Sequence, residues 1–116
     1  MTEKSILIHA PAAAVYRLLA DPMRMADWSP ECERCRWAKG ASGAEPGAVF
    51  RGTSRNGRRR WTTTSTITDV RPNELFAWEV TYFRQPVARW EYRVELTDEG
   101  ARLTEAVDEF RKSFLA

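Results

Sequence analysis

The stretch VARWEYRVEL, residues 87–96, is the feature that most restricts what this chain can fold into. Ala88, Trp90, Tyr92, Val94 and Leu96 fall on one side of an extended chain, and Arg89, Glu91, Arg93 and Glu95 fall on the other. A period of two marks a strand with one face on a core and the other in water. Antiparallel sheets allow that arrangement, whereas parallel sheets are covered on both faces. The chain therefore calls for an antiparallel sheet, with apolar material stacked on the side of Trp90 and Tyr92.

Other segments supply further strands. SILIHA reads as a strand over residues 3–9, and ERCRWAKG as a second. VFRGTSR and RRRWTTTSTITDV form a hairpin joined at Asn56-Gly57, a pair that tolerates the positive φ of a type I′ turn. ELFAWEVTYF starts after the turn residues Pro72 and Asn73, and ARLTEAVDE follows the turn DEG. Between the first two strands, APAAAVYRLLADP reads as a helix. Pro11 suits its first turn, Val15, Leu18 and Leu19 share a face, and Pro22 stops it. MRMADW predicts a second short helix, closed by Ser29-Pro30. FRKSFLA reads as the opening of a last helix, with Phe110 and Phe114 at i, i+4. One strand, two helices, six strands and a helix start make an α+β fold.

The 116 residues make one domain, residues 1–116, with 43% hydrophobic and 29% charged side chains, the mix of a globular protein. A net charge of +2 says nothing about nucleic acid, and none is expected as a partner. No run approaches the ~20 apolar residues of a membrane span. The N-terminus lacks the basic and apolar regions of a leader, so a cytoplasmic protein is expected. Two cysteines do not make a disulfide framework. Dinucleotide, phosphate-loop and nucleophile-elbow motifs are absent, which argues against nucleotide chemistry and covalent catalysis.

The element order and the stretch ILIHAPAAAVYRLLADPMRMADW resemble the polyketide cyclase/dehydrase and lipid-transport family of the START-like, Bet v 1-like superfamily. The resemblance is carried by Ala10, Pro11, Val15, Tyr16, Leu18, Leu19, Asp21, Pro22 and Trp28, by Gly47 and Phe50, and by GARLTE from Gly100 to Glu105. It implies a helix-grip fold: a curved antiparallel sheet of about seven strands around a long C-terminal helix, with an apolar cavity between them. Here that last helix would only be starting at Ala116, so the expectation is either a fragment of a longer chain or a concave face covered by another surface. A stub of about eight residues is ~12 Å long, against ~33 Å for strands of about ten residues. A bare apolar face favours self-association, so a homodimer or domain-swapped pair is expected.

Within that frame the candidate site residues can be weighed. Trp28, Trp61, Trp78, Tyr82, Trp90 and Tyr92 would wall a cavity for a small hydrophobic molecule, or simply fill the core. Thr63 and Ser65 share a face with Trp61 and would offer hydroxyls, although threonine is also a good strand former. Glu31 and Glu33 stand beside Trp28. A desolvated carboxylate there would act as an acid or base, and Glu31 is the candidate catalytic residue. Cys32 and Cys35, as an i, i+3 pair on a strand, should point to opposite faces and be poorly placed to bridge. His9 is the sole histidine, no second cysteine pair follows, and neither a metal nor a cofactor is expected. Arg55, Arg58, Arg59 and Arg60 make a positive hairpin tip, either solvated or facing an acidic partner. Three functions fit: a carrier of a small hydrophobic ligand, a cyclase/dehydrase-type enzyme, or a domain that takes a protein partner in its apolar groove.

Overall fold

The computed structural model describes residues 2–29 and 32–110. The elements run β1 (Thr2–Ile8), α1 (Ala12–Leu19), a 3₁₀ helix (Pro22–Asp27), β2 (Cys32–Ala38), β3 (Val49–Asn56), β4 (Arg59–Arg71), β5 (Leu75–Tyr82), β6 (Gln85–Thr97) and β7 (Gly100–Glu109). All seven strands form one antiparallel sheet in the order β1-β7-β6-β5-β4-β3-β2. This is the α+β arrangement expected, with six successive strands after the two helices. The expected last helix falls mainly on residues 111–116, outside the described residues.

α1 starts after Pro11, whose extended backbone makes it the cap residue. The helix buries Val15, Tyr16 and Leu19, while Leu18 is only half-buried. Tyr16 takes the place expected of Leu18 because its ring reaches under the sheet end. Its hydroxyl donates to the Leu75 carbonyl at 2.9 Å, which ties α1 to the start of β5. Burial raises the Tyr16 phenol above its ordinary range. Asp21 caps the 3₁₀ helix by accepting from the Met23 amide at 3.1 Å, and Pro22 sits in its first turn, where no N–H is missed.

The core lies on the concave side. Phe50, Ile67, Phe76, Tyr92 and Val94 are buried there, and Leu96, on the same face, lies at the open end of β6 and is 81% exposed. The convex side carries ion pairs, including Arg89 with Asp69 at 3.1 Å and Arg93 with Glu3 at 2.9 Å. Exposed pairs of this kind add little stability, ~0–1 kcal/mol each, and mainly keep that face wet.

Two turns differ from expectation. In the β3–β4 hairpin, Asn56 pairs with Arg59, so the loop is Gly57-Arg58 rather than Asn56-Gly57. Only Gly57 has positive φ (64°), the pattern of a II′ turn rather than I′. In the β5–β6 hairpin, Tyr82 pairs with Gln85, leaving Phe83 and Arg84 as the loop, both with positive φ (50° and 65°). That is the I′ pattern, carried by two residues that do not favour it.

Candidate functional site: an aromatic-walled cavity

The concave face and the segment that follows the 3₁₀ helix enclose a cavity of about 580 Å³. Its floor is set by strand register. Trp78 on β5 pairs directly with Trp90 on β6, and the two rings stack with centroids 6.2 Å apart and planes within 7°. Tyr92 pairs with Phe76 and lies 5.6 Å from the Trp78 ring. Trp28 closes over Tyr92 edge-on, at 5.9 Å and 77°. Its indole Nε1 is buried and has no hydrogen-bond partner in the protein. From β4, Trp61, Thr63 and Ser65 enter the same wall. A larger cleft of about 650 Å³ lies between α1 and the loop after β2. It is more open, and Tyr16 and Trp37 are its aromatic lining, without the stacked indoles, so the site is placed in the concave cavity.

Trp28, Trp61, Thr63, Ser65, Trp78, Trp90 and Tyr92 thus come together in one wall. Tyr82 does not: its ring packs on Phe83 at 4.4 Å, at the far end of the β5–β6 hairpin. Glu31 lies outside the described residues. Glu33 is exposed, not in the cavity, with its carboxylate 2.9 Å from Arg60 and 3.7 Å from Arg55. Two of the four tip arginines are therefore held by one acid, and Arg59 turns inward to the cavity wall.

Several wall residues are not apparent in the sequence. Glu105 and Glu109 line the cavity from β7. They share a face with Ala101, Leu103 and Val107, and only the pairing of Tyr92 with Glu105 shows what they face. The Tyr92 phenol is pushed well above its usual range, first by burial and then by the neighbouring Glu105 charge. The phenol is therefore a donor at any physiological pH, beside an acceptor carboxylate. Val87 and Ala88 both line the wall because the register shifts between Val80 and Thr81.

Cys32 and Cys35 correct an expectation. Both line the cavity, and their Sγ atoms are 3.6 Å apart. The cause is a register shift in β2 between Cys32 and Arg34. A bulge adds one residue to the period-two count, so positions three apart return to the same face. Burial raises both thiols, with Cys35 pushed up to about 12 by burial and then by the charge of Cys32. Among the described residues, no group of three or more His, Cys, Asp or Glu side chains is placed to hold a metal ion.

A curved seven-stranded antiparallel sheet with helices inserted after its first strand, enclosing an apolar cavity, defines a Bet v 1-like domain. The family model for polyketide cyclase/dehydrase and lipid transport matches residues 2–115, and the chain belongs to that family. A polyketide cyclase-like protein of Corynebacterium glutamicum is 37% identical, with 97% of this chain and 67% of that one covered at a TM-score of 0.66. The fold is also that of major latex-like protein 151 from Panax ginseng, at 12% identity, 97% and 80% coverage and a TM-score of 0.77. It recurs in the di-domain aromatase/cyclase of the steffimycin biosynthetic pathway, at 14% identity, 98% and 38% coverage and a TM-score of 0.74. A search of curated proteins found no match. No helix among the described residues is long and apolar enough to cross a membrane.

Proposed function

We propose that this domain binds a small hydrophobic or aromatic molecule in the concave cavity. The aromatic floor of Trp28, Trp78, Trp90 and Tyr92 carries this reading. Stacked rings facing a space of about 580 Å³ suit a planar apolar ligand, and that volume falls within the ~300–1,000 Å³ of small-molecule sites. Polar groups enter the wall among the rings, with Thr63 and Ser65 on β4 and Glu105 on β7. Such a wall grips apolar surface and orients one polar end.

The test uses N-phenyl-1-naphthylamine, a neutral apolar fluorophore. Wild-type protein should bind it with micromolar affinity, and Ser65→Leu should weaken binding by about tenfold by filling the floor. Equal affinity in a folded Ser65→Leu protein, or no binding by wild type, would overturn the reading. Native mass spectrometry of the purified chain should show a co-purified small molecule.

A second reading, a cyclase/dehydrase-type enzyme, is favoured by the Tyr92 phenol standing beside Glu105 inside the cavity. There the phenol would donate to a ligand carbonyl and a carboxylate would move the proton, with Glu31 the further candidate acid. Glu31→Gln and Tyr92→Phe should each lower turnover more than ligand affinity if chemistry is done. A third reading, a protein partner in the groove, has only the exposed apolar residues to support it. Self-association through the β1 edge region is proposed on the 58% exposure of Ile6.

A further inference from the structure

The C-x-x-C pair is the motif that ligand binding leaves unused, and the fold has treated it in a particular way. The bulge turns both sulfurs into the cavity, and Glu33 between them is held outside by Arg60 and Arg55. With Glu33 clamped outside and Arg34 also exposed, the bulge leaves Cys32 and Cys35 facing inward together. Opposite Cys35 in register stands Gly52, whose missing side chain leaves room on the inner face. A Cβ at that position would sit 3.4 Å from Cys35 Sγ. The sulfurs touch at 3.6 Å. A bond needs ~2.05 Å, so the approach is about 1.5 Å, within reach of side-chain rotation. A bridge closing so short a loop gains little chain entropy, which marks a reversible bond rather than a structural one.

We propose that Cys32 and Cys35 form a reversible dithiol–disulfide site in the cavity wall, oxidised by low-molecular-weight disulfides such as glutathione disulfide, and that its state sets the cavity's ligand affinity. The second half rests on the ligand-binding reading above. The exchange runs in two steps. Cys32, the less buried thiol, loses its proton and attacks glutathione disulfide, forming a mixed disulfide and releasing one glutathione. Cys35 then attacks Cys32 Sγ as its thiolate, forming the protein disulfide and expelling the second glutathione. The dithiol loses two electrons and two protons, and one glutathione disulfide becomes two glutathiones. Capping Cys32 also removes the charge that disfavours ionisation of Cys35, so the first step eases the second. Closing the bridge draws the β2 wall together at the bulge and removes two thiol protons from the lining, which changes the space a ligand meets.

The test equilibrates the wild-type chain with glutathione disulfide, quenches with acid, alkylates with N-ethylmaleimide and reads the intact mass. The expected product has lost two hydrogens, takes no maleimide, and recovers two maleimide sites after dithiothreitol. Cys35→Ser should stop as a single glutathione adduct, and Cys32→Ser should react about tenfold more slowly. N-phenyl-1-naphthylamine affinity should differ by about threefold or more between the disulfide and dithiol forms. Two maleimide additions after oxidation, or glutathione adducts without the internal bond, would overturn the site. Equal affinities would overturn the coupling. If the probe binds neither form, the ligand reading and the coupling fall together, and the mass change still decides the disulfide.

Discussion

Replacing Phe83-Arg84 by Asn-Gly should stabilise the domain. Both residues hold positive φ in a two-residue hairpin loop, 50° at Phe83 and 65° at Arg84. A non-glycine residue in that region costs about 1 kcal/mol or more, and asparagine tolerates it best. Phe83 is 83% exposed, so its loss forfeits little burial. Its ring lies 4.4 Å from Tyr82, a contact worth ~0.5 kcal/mol at such an exposed site. Asn at 83 therefore nets about 0.5 kcal/mol. Gly at 84 relieves strain of about 1–2 kcal/mol and adds ~0.5–1 kcal/mol of unfolded-chain freedom. The pair should gain about 1 kcal/mol in all, which for a domain of this size raises Tm by roughly 3–6 °C. Thermal unfolding by circular dichroism and urea midpoints would read it. The control is Phe83→Ala, which loses the ring and keeps the backbone strain. It should fall about 1 kcal/mol below Phe83→Asn. If alanine and asparagine prove equal, the backbone argument fails. The turn matters beyond stability, because β5 and β6 carry Trp78, Val80, Trp90 and Tyr92. A one-residue slip of this hairpin would turn β6's wall residues out of the cavity.

Three further outcomes are expected. Tyr92 has its pKa raised in the fold, so its contribution is complete below the ordinary phenol value near 10 and is lost as pH rises through the folded value. Between pH ~10 and the folded value, the unfolding free energy from urea titrations should fall by about 1.4 kcal/mol per pH unit from this residue alone, and Tyr92→Phe should flatten the slope by that amount. Gly100→Ala should cost several kcal/mol and abolish soluble expression. Gly100 has a φ of 142°, and a Cβ there would overlap the Ile8 carbonyl and lie 2.9 Å from the Ala10 amide. Light scattering at micromolar concentration should report a dimer, and a strict monomer would remove the self-association reading.

The strands were legible because period-two alternation survives in β4, β5, β6 and β7, and the helix pair because Pro11 and Pro22 punctuate it. Two of the missed features share one cause. Alternation is a count, and a bulge changes the count without leaving a composition signal. CERC looks like a regular strand, so its cysteines seem to diverge until the register shift at Cys32 and Arg34 turns them together. Val87 joins Ala88 in the wall for the same reason. The Phe83-Arg84 turn was hidden because it contains neither glycine nor asparagine, and its conformation is imposed by the two strands it joins. Glu105 and Glu109 share the face of Ala101, Leu103 and Val107 but carry no signal of a cavity. Nothing within β7 reveals that their face meets Tyr92 and not water.

The strand order has a consequence for how the chain is made. β1 and β2 are close in sequence yet occupy opposite edges of the sheet, and Thr2 pairs with Val107. As the chain leaves the ribosome, β2 to β6 can add one to the next as each hairpin completes. β1 has no neighbour to pair with until β7 emerges. At ~5–20 residues per second, roughly a hundred residues of synthesis leave the SILI segment unpaired for about 5–20 seconds. During that interval the nascent β1 segment is an open β edge, available to chaperones or to a neighbouring nascent chain. The final closure is a single long-range docking step that waits for the last strand.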